Sequence, residues 1–200
     1  MNNILILYPP NLQCFSKFSR KVSRIIEKTD NYSVIYPDDP NGFIDAYLND
    51  NTNADLIRKS NWNVKDITHA IIFDDGEEFP KEIKVVENSN TPLRIIKIAI
   101  TRVINIKNEP QYKNNKESTL YEYIGRGSRW GNPYSMYENG DDRDEAIRKY
   151  KYDFDHGFLA NHGKSEIYKL AGKRLGCFCN PQRCHGDVLA NYLNSWDDGK

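Results

Sequence analysis

This 200-residue chain contains no long apolar run. Its opening stretch Ile4–Leu7 is far short of the roughly 18 consecutive apolar residues of a membrane span, and no other window comes close, so no membrane partner is expected. No basic residue precedes that stretch, which argues against a secretory signal peptide and makes a cytoplasmic, reducing location the default expectation. Cysteine is scarce, at four residues, and in a reducing compartment clustered cysteines are metal ligands or reactive thiols more often than disulfides. An excess of charge of either sign is also missing. Lys and Arg number 28 against 28 Asp and Glu, divided 12 against 14 in residues 1–100 and 16 against 14 in residues 101–200. A protein that holds nucleic acid through its phosphates shows a clearer basic surplus, so there is no strong nucleic-acid signal. No repeat of fixed period is present, which removes solenoids and propellers.

What remains suits a globular α/β chain, with 38% hydrophobic and 12% aromatic residues to build a core. In the first half, Asn3–Tyr8 is a continuous apolar strand closed by Pro9-Pro10. A helix follows over Ser16–Lys28, with Phe15, Phe18, Val22, Ile25 and Ile26 on one face. Tyr32–Tyr36 and Thr68–Phe73 are further strands, Gly42–Asn49 a weaker helix, and Asn49–Asp55 a polar loop or cap. Pro80–Asn88 is helical and Leu93–Ile100 β-rich. This alternation predicts a small Rossmann-like domain over residues 1–100 with a largely parallel sheet. Ligands bind at the carboxyl ends of the strands in such sheets, which places Tyr8–Asn11, Pro37–Asp39 and Asp74–Asp75 around a candidate pocket.

The second half predicts a compact α+β domain over residues 101–200. Thr101–Ile106 alternates like a half-buried strand, and Asn108–Ser118 is a surface loop or linker. Tyr121–Tyr134 holds three glycines, a proline and a tryptophan within ten residues, the mark of a shaped loop. Arg126 and Arg129 beside Trp130, together with Asn132, are candidate contacts for an anionic or planar ligand, because guanidinium pairs bidentately with phosphate or carboxylate. The competing reading is a tight turn in which the tryptophan plugs the core. Asp144–Leu159 is a helix, capped by Asp141, Asp142 or Asp144, with an apolar stripe of Ala146, Ile147, Tyr150, Phe154 and Phe158. His156 and His162 read as surface residues. Ser165–Leu170 is a short helix, Arg174–Phe178 a short strand, and the residues after Gly186-Asp187 a last amphipathic helix.

Three cysteines and a histidine crowd into Cys177-Phe178-Cys179-Asn180-Pro181-Gln182-Arg183-Cys184-His185, and three uses of the stretch stay open. Cys177, Cys179, Cys184 and His185 form a chemically sound zinc set, although all four ligands would come from one short loop. Alternatively, Cys184 precedes a helix whose free amides and dipole lower a thiol pKa, and Asp187 orients His185, a Cys/His/Asp arrangement of the kind that activates nucleophiles. Third, the cysteines are buried apolar residues and His185-Gly186-Asp187 a helix cap.

Two resemblances bear on these readings. Ala70-Ile71-Ile72-Phe73-Asp74-Asp75-Gly76, Pro80-Lys81-Glu82-Ile83 and Thr91-Pro92-Leu93-Arg94-Ile95 resemble the Rossmann-like superfamily of nucleoside deoxyribosyltransferases and related nucleotide-binding proteins. That resemblance implies Asp74 and Glu82 as secondary site candidates, Glu82 as the carboxylate at a sugar's anomeric carbon. The Gly-rich phosphate turn after the first strand is replaced by Pro9-Pro10-Asn11. From about Thr101 to Trp196, Val103-Ile104-Asn105, the block Tyr123–Pro133 and the close Leu175–Asp187 resemble an uncharacterised domain family common in bacteriophages and some bacteria. Departures are Phe178, where that family usually has Trp, and the insert Asn108–Leu120. The resemblances together imply a protein, phage-encoded and working in the host cytoplasm, that acts on a nucleotide, nucleoside or nucleotide-derived metabolite. A non-catalytic nucleotide- or protein-binding module with a structural Cys/His zinc site is the alternative.

Overall fold

The computed structural model describes residues 2–50, 54–112, 118–136, 141–159 and 163–199. The fold is mixed α/β, and the chain divides into two compact units, Met1–Ile98 with Ser195–Lys200, and Ala99–Asn194.

The first unit is a five-stranded parallel sheet in the order β3-β2-β1-β4-β5. Its strands are β1 (Asn2–Leu7), β2 (Tyr32–Tyr36), β3 (Ala54–Arg58), β4 (His69–Asp74) and β5 (Leu93–Lys97), and its helices α1 (Phe15–Ile26), α2 (Phe43–Asp50) and α3 (Pro80–Asn88). Every pairing is parallel, for example Leu5 with Ile35 on one side and with Ala70 on the other. Strand side chains alternate between faces, so both faces must be apolar and both are. Leu5, Leu7, Ile35, Ala70 and Ile72 pack with Val86 of α3. On the other face Phe18 of α1 stacks on Phe73 at 5.2 Å. The strand order matches that of a Rossmann half, and its direction reverses between β1 and β4. This is the Rossmann-like α/β architecture expected from the alternation of elements.

The polar reading of Asn49–Asp55 is corrected in part, because β3 begins at Ala54. It is an edge strand with Leu56 and Ile57 41% and 39% exposed, so its apolar signal is only two residues deep. At the C-terminal edge the loops after β1 and β2 hold each other. The Tyr8 hydroxyl donates to Asp39 and accepts from the Asn41 amide at 2.9 Å, while the Asn41 side chain donates to the carbonyls of Pro10 and Leu12. Asp39 in turn accepts the amides of Ile44 and Asp45 at the start of α2. The C-terminal tail also belongs to this unit. Asp197 takes Arg20 of α1 in a two-pronged contact at 2.9 and 3.0 Å and the Ser16 hydroxyl at 2.6 Å, and Asp198 pairs with Lys17 at 2.9 Å.

The second unit is a three-stranded, wholly parallel sheet in the order β6-β8-β7: β6 (Arg102–Asn105), β7 (Tyr121–Tyr123) and β8 (Arg174–Cys177). Helices α4 (Arg143–His156), α5 (Lys164–Ile167) and α6 (His185–Ser195) accompany it. Asp142 caps α4 by accepting the Glu145 amide at 2.8 Å, and Gly157 ends it in the left-handed region at φ +73°. The stripe Ala146, Ile147, Tyr150 and Phe154 is buried. Phe158 is a correction: it lies beyond the glycine stop, off the helical face, and is 62% exposed. His156 is exposed, its Nδ1 beside the Tyr152 carbonyl, and His162 lies outside the described residues. Gly176 admits no side chain, since a Cβ there would meet the Tyr121 hydroxyl at 2.4 Å. That close approach lets the central strand β8 carry Cys177 to the edge of the core.

Candidate functional site

Three cysteines converge at the C-terminal end of β8. Cys177 is the strand's last residue, Cys179 follows two residues on, and Cys184 returns after a turn containing a cis Asn180–Pro181 peptide. Their sulfurs all lie within 4.8 Å of one another, with Cys177 and Cys184 at 3.5 Å, and all four cysteines of the chain are free. Cys184 stands immediately before α6 in the capping position. Its sulfur accepts the Gly186 amide at 3.3 Å, and Asp187 reaches back to the Cys184 amide at 2.8 Å, one half of a capping box. The Cys177 sulfur accepts the Cys179 amide at 3.3 Å.

The hydrogen bond shared with Cys184 and the amides of Cys179 and Asn180 lower Cys177 to about 6 against the opposing effect of burial. Cys184 is pushed far up by the same hydrogen bond, and further by burial and the nearby charges of Cys177 and Asp187. At Cys184 the Gly186 amide favours the thiolate, while the contact with Cys177, burial and the charge of Asp187 oppose it.

His185 takes a different direction from its neighbour. Its Nε2 is 2.9 Å from the Ile124 carbonyl, its ring stands edge-on to Tyr150 at 5.0 Å, and the residue is buried. Desolvation lowers its pKa, with the backbone of Ile124 and Trp130 and the charge of Asp187 opposing. Successive residues entering a helix point about 100° apart, which explains why Cys184 and His185 serve separate surroundings. The sulfur cluster comprises the three cysteines, and Asp187 spends its hydrogen bond on the Cys184 amide, so the Cys184–His185–Asp187 relay expected from spacing is not assembled.

These thiols floor a cavity of about 220 Å³. Arg126, Arg143 and Arg183 line it, with Tyr134, Met136 and Ile147 as its less polar wall. Arg126 is exposed and has no carboxylate partner among the described residues. Arg143, the first residue of α4, donates to the Arg183 carbonyl at 3.1 Å and to the Gln182 side chain at 2.6 Å, so its charge too is without a carboxylate among the described residues. Arg183 pairs with Asp144 at 3.2 Å, both well exposed.

Of the loop residues expected to contact a ligand, Arg126 and Asn132 line the cavity. Asn132 holds the loop's shape, donating to the Ala146 carbonyl at 3.1 Å and accepting the Tyr134 amide at 2.9 Å. Arg129 and Trp130 are not among the residues that line the cavity. Arg129 turns to Glu166 at 3.1 Å and lies over the Trp130 ring at 5.3 Å. Trp130 is 4% exposed within the core, its indole N–H donating to Glu122 at 3.0 Å. In the first unit, Asp74 accepts the Gly76 amide and Asp75 those of Glu77 and Glu78, so both carboxylates shape their own turn. Glu82 lies in the first turn of α3, where a carboxylate complements the helix dipole. Sequence reasoning missed Arg143. Its visible signal is a cation in the first turn of a helix, where the dipole disfavours it.

A doubly wound Rossmann-like unit followed by a smaller parallel-sheet unit with an arginine-lined, thiol-floored cavity defines the general class. Residues 1–104 match the Minimal SLOG domain (mSLOG), and the chain belongs to that family. Residues 104–195 match a domain of unknown function, DUF4326. The chain is similar to the "Uncharacterized 12.4 kDa protein in nrdA-td intergenic region" of Enterobacteria phage T4, with 35% identity over 82 residues, 40% of this chain and 74% of that protein. No solved structure matches. No described helix is long and apolar enough to cross a membrane.

Proposed function

We propose that the protein binds a nucleotide or nucleotide-derived metabolite, and that the cavity over the cysteines receives it. The observation that carries this reading is the pair Arg126 and Arg143, which line one cavity without carboxylate partners among the described residues. Uncompensated guanidinium groups beside a concave surface suit phosphate, which they engage bidentately. Tyr134, Met136 and Ile147 offer the apolar and aromatic surface that a base or sugar needs. The family supports the ligand class for the chain rather than for this cavity, since the minimal SLOG domain, a nucleotide-binding, Rossmann-like type of domain, matches residues 1–104. Residues 1–100 and 101–200 then act as two domains, the second carrying the site.

Calorimetric titration with mono-, di- and triphosphate nucleosides tests the reading. Binding that is lost in the Arg126→Ala/Arg143→Ala protein while its fold persists is expected, and undiminished binding in that variant sinks the assignment to this cavity. A second reading, an enzyme acting on the bound ligand, is favoured by Cys177, which lines the cavity together with Cys179 and Cys184. It predicts that Cys177→Ser retains binding and abolishes turnover, whereas turnover retained in that variant removes Cys177 from the chemistry.

A further inference from the structure

We infer that Cys177, Cys179 and Cys184 form a three-thiolate site for a zinc-class ion, with its fourth coordination position opening into the cavity and His185 outside the set. Tetrahedral Zn–S bonds of about 2.3 Å require sulfurs about 3.8 Å apart. One pair here stands at 3.5 Å and none exceeds 4.8 Å, so side-chain adjustments of under about 1 Å seat the ion.

The backbone is already arranged for anionic sulfur. Amides two residues on donate to both core sulfurs, Cys179 to Cys177 and Gly186 to Cys184, each at 3.3 Å. Hydrogen bonds to ligand atoms of this kind orient and tune a metal site. His185 does not supply the fourth ligand: its Nε2 faces the Ile124 carbonyl, and the residue is not part of the sulfur cluster. All three cysteines line the cavity, so the remaining position points into it. Structural zinc sites are closed by four protein ligands, whereas sites with three leave a position for water or substrate. Three thiolates around a divalent ion carry one net negative charge, and Arg126, Arg143 and Arg183 line the same space. An anion drawn in by those arginines would reach the open position. The ion site stands independently of nucleotide binding, and a failure of either leaves the other to be judged by its own readout.

The test uses the full chain, reduced and stripped of metal, titrated with Zn2+ against a chromophoric chelator and separately with Co2+. One ion per chain is expected, with sulfur-to-cobalt charge-transfer absorption of a strength set by three thiolates and the visible bands of a tetrahedral ion. Cys179 is only half-buried, so Cys179→Ser is the variant best able to fold, checked by circular dichroism. It should bind Zn2+ about 100-fold or more weakly, and Cys14→Ser as tightly as the parent. Azide should shift the cobalt bands by entering the open position. Absence of binding, equal affinity in Cys179→Ser, or cobalt bands indifferent to azide would each overturn the site as described. If Cys179→Ser does not fold, the charge-transfer intensity of the parent protein still counts the thiolates and decides the matter.

Discussion

Arg126 and Arg129 lie three residues apart in one loop, and replacing each in turn separates a ligand contact from a structural one. Arg126 lines the cavity without a carboxylate partner among the described residues, so its guanidinium is available to a phosphate. A hydrogen bond to a charged group contributes about 1.5–3 kcal/mol, and each 1.4 kcal/mol is about tenfold in Kd. Arg126→Ala should therefore weaken a phosphorylated nucleoside about 10- to 100-fold. Arg129 is bound up with Glu166, which keeps Lys169 at 2.7 Å when the arginine is removed. Half-exposed pairs of this kind are worth about 0–1 kcal/mol, so Arg129→Ala should lower the melting temperature slightly and leave affinity unchanged. Calorimetry at two salt concentrations is the assay, because the Arg126 contribution should shrink as salt screens it. A loss of affinity in Arg129→Ala equal to that in Arg126→Ala would refute the division of roles, as would a silent Arg126→Ala.

Three further outcomes follow from the same geometry. In metal-free protein one thiol ionises near 6 and its partner far above the ordinary value, while unfolded cysteines ionise near about 8.5. The native state thus binds fewer protons than the unfolded state between about 6 and 8.5 and more above that, so stability should rise from about pH 6, peak near about 8.5, then fall. Denaturation midpoints across that range check this, and a Cys177→Ser protein with the same profile contradicts it. Tyr8→Phe strips Asp39 of a donor and two amides of an acceptor, and should cost about 1–3 kcal/mol in urea unfolding with an unchanged m-value; a loss under about 0.5 kcal/mol would show those groups finding other partners. Arg20, Ser16 and the Gly199 amide hold the Asp197 carboxyl well below the ordinary range. Its NMR titration should still show the charged form at about pH 3, and a midpoint near about 3.9 would mean the tail is undocked in solution.

The first unit was legible because its strands are buried on both faces, and continuous apolar runs such as Ile4–Leu7 and Ile71–Phe73 announce that burial. Where the sheet meets solvent the signal fades, and β3 disappears into its polar surroundings. Helix α4 was legible from its capping carboxylates. At the site, the cysteine spacing located the cluster but could not assign roles. Whether Asp187 serves His185 or the Cys184 amide depends on where α6 begins, and a one-residue difference there redirects each side chain. Trp130 is large enough to face a ligand or fill a core, and only the packing around Tyr150 and Leu189 decides between them. Arg143 and Tyr134 come to the cavity from a helix start and a loop distant in sequence from the cysteines, an association that arises from tertiary packing alone.

The docking of Asp197 and Asp198 on α1 ties together residues 177–181 positions apart, nearly the length of the chain. Such a closure is among the slowest contacts to form, because every intervening residue must be ordered or spanned first. During synthesis the first unit can build its sheet early, and it gains the ion pairs with Asp197 and Asp198 only once those residues have been made. A fragment ending at Asn194 would leave Arg20 and Lys17 without the carboxylates they hold in the full chain. Changes at Asp197 or Asp198 will therefore be felt on α1, far away in sequence.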